Sequence, residues 1–298
     1  MKLLKFVLVV ALMLLVMPQA MAVDINVSDG SLSDWGITKD DLRSGFYPNC
    51  SETAWLPDNA PNAYFIVEDN RDPNYGPKAN YPTGVHIYGK GTNYQKYDEP
   101  KIGAQEPPIG GELYDIEAMY IDEDSDNIYV AIVVSAPSRM IGDLALNLDG
   151  NKATGGYGYE YGVLLHTRDG GNQFDIYYTP NDINWNETHF KPATPGKINL
   201  SSNPPKVGSA TGAYVKYDIE DCGYPTYIIE LKINKSDVRM SGSLGDNVRT
   251  VLSKFHIANT GDCGNDFTPD FPIAEFLTIL IPAGVVIGSV YYFRKRNH

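Results

Sequence analysis

In Tyr227–Ile233 the residues Tyr227, Ile229, Leu231 and Ile233 fall on one side of an extended chain, and Glu230 and Lys232 on the other. A period of two marks a half-buried β-strand. Other short strand-like runs are Tyr64–Val67, Val85–Tyr88, Tyr114–Ile121, Ile128–Val134, Leu144–Leu148, Tyr159–His166, Phe174–Tyr178, Ala213–Ile219 and Val251–Ile257, separated by clusters of turn-forming residues. Ile128–Val134 is apolar on both faces, as a central strand should be. No long stretch has helical period. Roughly ten strands with short turns predict an all-β, antiparallel β-sandwich. Arg71–Gly111, rich in Asn, Pro, Gly and Tyr, reads as long loops over one face. Its Tyr75, Tyr81, Tyr88, Tyr94 and Tyr97 either pin those loops or face a ligand.

The two ends stand apart from this pattern. Lys2 and Lys5 precede an apolar run from Phe6 to Val16, and Gln19-Ala20-Met21-Ala22 ends in a small-x-small site. Residues 1–22 therefore read as a signal peptide cleaved after Ala22. At the other end, Phe276–Phe293 is uncharged and mostly apolar, and Arg294-Lys295-Arg296 follows. This is a membrane-spanning helix candidate whose basic end stays cytoplasmic. Residues 23–270 would then form an ectodomain at the cell surface. The tail, residues 271–298, also resembles the archaeal PEF-CTERM sorting signal through Pro272, Glu275, Phe276 and Thr278. Ala274 and Leu277 stand where that family has Pro. The resemblance implies processing by an archaeosortase; an ordinary single-pass anchor is the other reading.

Charge narrows the partners. The chain has 24 basic and 37 acidic residues. Setting aside five basic residues and one acid at the two ends leaves 19 and 36, a formal charge of −17 on the ectodomain. Nucleic acid needs a basic face and is not an expected partner. The three cysteines are Cys50, Cys222 and Cys263, which allow one disulfide outside the cell. We favour Cys222 with Cys263, because each lies just beyond the outer end of Tyr227–Ile233 or Val251–Ile257, two strands that could pair antiparallel. No pairing at all is the alternative. Asn-x-Ser/Thr sequons at Asn26, Asn49, Asn186, Asn199 and Asn234 mark glycosylation candidates that would have to lie at the surface.

Two acidic clusters could carry chemistry. Asp122-Glu123-Asp124-Ser125-Asp126-Asn127 lacks the glycine and distal glutamate of a calcium loop and reads better as a hairpin turn. The second begins where a strand ends in Asp149-Gly150-Asn151, passes through Thr154-Gly155, and returns an acid at Glu160. Calcium takes several oxygens at flexible geometry. The Asp149 and Glu160 carboxylates, the Asn151 amide oxygen and loop carbonyls could supply them. A glycine-rich hairpin with solvated acids fits equally. Asp143 is six residues from Asp149, roughly 20 Å along an extended strand, and stays outside this set.

A second resemblance follows from Asp29-Gly30-Ser31-Leu32-Ser33-Asp34-Trp35-Gly36, Tyr114-Asp115-Ile116-Glu117-Ala118-Met119-Tyr120, Gly142-Asp143-Leu144-Ala145-Leu146, Tyr159-Glu160-Tyr161-Gly162-Val163 and Cys263-Gly264-Asn265-Asp266. In that order they are similar to archaeal surface proteins with a domain like the family 9 carbohydrate-binding modules. The resemblance implies a jelly-roll-like sandwich, structural calcium and sugar binding. Trp35, Trp55 and Trp185 are then candidates for stacking on sugars, though buried tryptophans are commoner. No Gly-x-Ser-x-Gly or His-Glu-x-x-His motif occurs, so a non-enzymatic role is expected. That role is structural, adhesive or carbohydrate-binding, with envelope glycans or surface-layer proteins as partners. A secreted glycosidase-like enzyme with paired carboxylates is the competing class.

Overall fold

The structure, a computed structural model, describes residues 25–37, 55–57, 63–69, 85–90, 93–98, 116–137, 140–167, 171–187, 193–221, 224–244, 251 and 255–257. Among these run thirteen strands: β1 (Tyr64–Asp69), β2 (Val85–Lys90), β3 (Asn93–Asp98), β4 (Ile116–Glu123), β5 (Asn127–Val134), β6 (Leu144–Leu146), β7 (Tyr161–Val163), β8 (Gln173–Tyr178), β9 (Trp185–Glu187), β10 (Pro195–Ile198), β11 (Lys206–Asp221), β12 (Tyr224–Asn234) and β13 (Phe255–His256). Eleven form one sheet in the order β13-β6-β7-β8-β11-β12-β5-β4-β1-β2-β3, and β9 and β10 pair apart from it. Every pairing is antiparallel.

Side-chain alternation explains the central strands. β5 lies between β12 and β4. Its Ile128, Val130, Ile132 and Val134 belong to the largest core, while Tyr129, Ala131 and Val133 belong to a second core on the opposite face. β4 divides the same way, with Met119 and Ile121 on one side and Ala118 and Tyr120 on the other. The sheet is covered on both faces here, so these strands read as nearly continuous apolar runs.

β11 turns the corner that closes the first core. Lys206–Thr211 pairs with β8, and from Thr211 onward the strand pairs with β12. Thr211 sits opposite both Gln173 and Lys232. Register slips between Lys206 and Gly208 and between Lys216 and Glu220 bend the strand further. Gly212 lies at the corner, where a β-carbon would run into the carbonyl oxygen of Glu230. The sheet thereby curls over itself. Leu144 and Leu146 of β6, Val163 of β7 and Phe255 of β13 share one core with Ile132 of β5 and Leu231 of β12. A wholly buried aliphatic contributes roughly 1.5–3 kcal/mol relative to exposure. Apolar burial therefore holds the curl more than the three-residue ladder of β6 with β7 does.

The second core is capped by the N-terminal segment. Ile25, Val27, Leu32, Trp35 and Ile37, with Trp55, lie in it alongside Phe65, Tyr120 and Ile228. The Asp29–Gly36 motif shapes this strap. Asp29 Oδ1 accepts the Ser31 amide at 2.9 Å, and Asp34 Oδ2 accepts the Asn26 amide at 2.9 Å. Gly30 takes φ +66° and has the Val215 side chain where a β-carbon would stand. The 3-10 turn Ser33–Trp35 carries the indole inward, where Nε1 donates to Glu230 Oε1 at 2.9 Å. The motif is thus a device for seating Trp35 over a buried carboxyl.

A third, smaller core joins the β9–β10 ribbon to the sheet through Trp185, Ile198, Ala145, Tyr159 and Leu164. The indole rests where Gly162 of β7 has no side chain. A β-carbon there would lie 2.7 Å from Trp185 Cη2 and 2.8 Å from Ile198 Cδ1. Gly162→Ala is expected to lower stability by about 1–3 kcal/mol through overpacking. Urea unfolding checks it, and an unchanged midpoint would refute the tight seat.

The antiparallel all-β expectation holds, with four corrections. What read as two sheets is one sheet curled at β11. The Arg71–Gly111 stretch is not all loop, since Val85–Lys90 and Asn93–Asp98 form an edge hairpin beside β1. The run Val251–Ile257 contracts to Phe255–His256, with Val251 in helical conformation, and it pairs with β6. β12 has both edges taken, by β11 and β5, so the strand pairing invoked for Cys222–Cys263 does not form. The three cysteines, residues 1–22 and residues 271–298 lie outside the described residues. No helix among the described residues is long and apolar enough to cross a membrane.

Candidate cation-binding loop

β6 ends at Leu146 and β7 begins at Tyr161. The intervening loop is a run of turns closed by short polar side chains. Asn147 Oδ1 accepts the Gly150 amide at 2.8 Å, Asp149 Oδ1 the Asn151 amide at 2.7 Å, and Asn151 Oδ1 the Ala153 amide at 3.0 Å. Gly155, at φ +74°, is packed so that a β-carbon would strike the Tyr159 backbone. The far side of the loop is fixed by the Tyr157 amide, which donates to Asp182 Oδ1 at 2.7 Å.

These turns bring three oxygens onto one hydroxyl. Thr154 Oγ1 lies 2.8 Å from Asp149 Oδ2, 2.7 Å from Glu160 Oε1 and 2.8 Å from the Asn151 carbonyl oxygen. A threonine hydroxyl has one proton to give, so two of the three acceptors go without it. Glu160 is buried, and its other oxygen accepts the Leu148 amide at 2.9 Å. Burial pushes its carboxyl above the usual range. The Thr154 and Leu148 hydrogen bonds pull it back, and the nearby Asp149 pushes it up again. All the ligating atoms the cluster offers are oxygen. That set suits a hard cation of the calcium type and does not suit zinc. Among the described residues no group of three or more His, Cys, Asp and Glu side chains is placed to hold a metal. Threonine and main-chain oxygens would have to complete the coordination.

Of the residues expected at this site, Asp149, Asn151 and Glu160 do come together. Asn151 contributes differently from expectation: its amide oxygen closes a turn, and its carbonyl oxygen faces the cluster. Thr154, the hub, was not singled out, because a lone Thr before a glycine carries no sequence signal of its own. Asp143 lies elsewhere, wholly buried, accepting the Leu165 and Ile198 amides at 2.7 Å each and His166 Nδ1 at 2.8 Å.

The first acidic cluster is a hairpin turn between β4 and β5. Asp124 accepts the Tyr129 hydroxyl at 2.7 Å and the Asp126 and Asn127 amides at 2.7 and 2.6 Å. Desolvation raises its carboxyl, but these hydrogen bonds outweigh it and hold it at about 2. Glu123 pairs with the buried Lys235 at 2.8 Å, tying the hairpin to the 235–244 turn. Trp35, Trp55 and Trp185 are all buried and present no ring to a sugar. Asn26, Asn186 and Asn234 are exposed. Asn199 is half-buried, its amide nitrogen donating to the Ile183 carbonyl at 3.0 Å. Asn49, Asp115, Tyr75 and Tyr81 lie outside the described residues.

Comparison of the chain with protein-family models, curated proteins and solved structures gives no match.

Proposed function

We propose that this chain is an exported, cell-surface β-domain stiffened by calcium, with a structural, adhesive or carbohydrate-binding role and no catalytic one. The observation that carries the calcium reading is the convergence of Asp149, Glu160 and the Asn151 carbonyl on the single hydroxyl of Thr154. A divalent cation would be met there by carboxylate, hydroxyl and main-chain oxygens together. The curl at β11 supports a jelly-roll-like sandwich. The signal-like N-terminus and the PEF-CTERM-like tail support export and membrane anchorage, followed by handling by an archaeosortase-like transpeptidase. The exposed sequons support glycosylation, and the acidic surface supports envelope glycans or surface-layer proteins as partners. The glycosidase reading needs two carboxylates flanking open space for a glycosidic oxygen. Between Asp149 and Glu160 that space holds the Thr154 side chain.

Thermal unfolding tests this. Calcium at about a hundred times its dissociation constant adds about 2.7 kcal/mol, or roughly 5–10 °C for a domain of this size. The melting temperature is expected to fall by that amount when calcium is replaced by chelator, and Glu160→Gln is expected to abolish the difference. Identical melting in both conditions would remove calcium from the account.

A further inference from the structure

The strap over the second core leaves a cleft. Ile25–Ser28 form one wall, and the start of β8, the corner of β11 and Lys232 of β12 form the rest of an open cleft of about 580 Å³. That volume is ordinary for a small-ligand site. The lining is almost uncharged and mixes apolar surface from Ile25 and Val27 with polar groups. Asn172, Gln173 and Thr211 are exposed there, and Lys232 is the one charged residue among those that line it. Asn26 is already committed: its Oδ1 accepts the Ser28 hydroxyl at 2.7 Å and its Nδ2 donates to Asp29 Oδ2 at 3.0 Å. The wall is therefore held in shape before any ligand arrives.

Lys232 stands out in a chain of formal charge −13. Its ammonium lies 5.8 Å from the Tyr129 ring, and no carboxylate among the described residues pairs with it. Glu230, two residues away on the same strand face, is turned to Trp35 instead. One cation among neutral amides and hydroxyls does not suit a bare phosphate or sulfate, which calls for several donors of positive character. It suits a single carboxylate on a polyhydroxylated body. Amide and hydroxyl groups both give and accept hydrogen bonds, as sugar hydroxyls do.

We infer that this cleft binds an acidic saccharide, with Lys232 meeting the carboxylate and Asn172, Gln173 and Thr211 meeting ring hydroxyls. The inference rests on the carbohydrate-binding side of the proposed function and is independent of the calcium loop. The test uses the full chain, produced without N-glycans and held in a detergent that lacks a sugar headgroup. Isothermal titration calorimetry with a galacturonate oligosaccharide and its methyl ester is run with chelator present, so that calcium cannot bridge carboxylates. The acid is expected to bind about tenfold or more tighter than the ester. Lys232→Met should reduce the acid to the level of the ester, Lys232→Arg should retain binding, and neither should change the melting temperature. Equal binding of acid and ester, or full binding by Lys232→Met, would overturn the role of Lys232 while leaving sugar binding in place. No binding of either saccharide at millimolar concentration would overturn the cleft and the sugar-binding reading together. Calcium-dependent melting would then stand alone.

Discussion

Replacing Asp143 by alanine is expected to cost about 4 kcal/mol or more. Its carboxylate is wholly buried, and it receives the amides of Leu165, His166 and Ile198 together with the ring nitrogen of His166. Because the acceptor is a carboxylate, Nδ1 must carry the hydrogen. The donors come from the chain after β7 and from the end of β10, so one side chain fastens the ribbon to the sheet. Alanine would leave these donors buried without an acceptor. An orphaned buried group costs about 1–3 kcal/mol, and truncating one member of a buried charged network costs about 3–5 kcal/mol. Asp143→Asn keeps one oxygen but turns an amide nitrogen toward other donors, and should cost about half as much. Urea denaturation of both variants measures this. A loss below about 1 kcal/mol for alanine would show that the ribbon is held by Trp185 and Ile198 instead.

Glu230→Gln is expected to stabilise the protein by roughly 3 kcal/mol at pH 8 and to change little near pH 4.5. Glu230 is wholly buried. Burial drives its carboxyl up from the ordinary 4.5 to about 7. The Trp35 indole and the Gly30 amide oppose the rise, and Asp29 and Asp34 add to it. The second oxygen has no hydrogen-bond partner among the described residues. A carboxyl whose folded value lies above its unfolded one binds its proton more tightly in the fold. Below pH 4.5 it costs nothing. Between 4.5 and about 7 stability should fall by about 1.4 kcal/mol per pH unit, and above 7 the loss is complete. Glutamine carries no charge and removes that slope. Unfolding free energies at pH 4.5, 6 and 8 test the point, and parallel pH profiles for variant and wild type would sink it.

Periodicity made the centre of the sheet legible. The predicted run Ile128–Val134 misses only the first residue of β5, and Tyr227–Ile233 covers seven of the eleven residues of β12. The corner was harder. Gly208, Ser209, Ala210 and Gly212 have weak strand preference, yet the corner needs its glycines: a β-carbon on Gly208 would meet the Asp237 side chain and one on Gly212 the Glu230 carbonyl oxygen. β3 was missed because Asn93-Tyr94-Gln95-Lys96-Tyr97-Asp98 is almost wholly polar, as an edge strand can be. At the loop, spacing alone brought Asp149 and Glu160 into one hypothesis, because a strand end and the next strand start must meet. Which oxygen of Asn151 faces inward depends on turn geometry, and no residue type encodes that. The Asp29–Trp35 motif was visible as a pattern. Its target, Glu230, lies 195 residues beyond Trp35, outside the reach of any local rule.

That separation governs when the domain can mature. The strap is the first part of the described chain to emerge, and β12 is among the last. Until β12 is in place, the Trp35 indole has no Glu230 to meet and the second core lacks Ile228. Contacts so remote in sequence make for slow folding. A chain threaded through a membrane in extended form would therefore complete its fold only on the far side, once β12 is across. Fragments cut before β12 should remain open and sensitive to protease, however much of the sheet they contain.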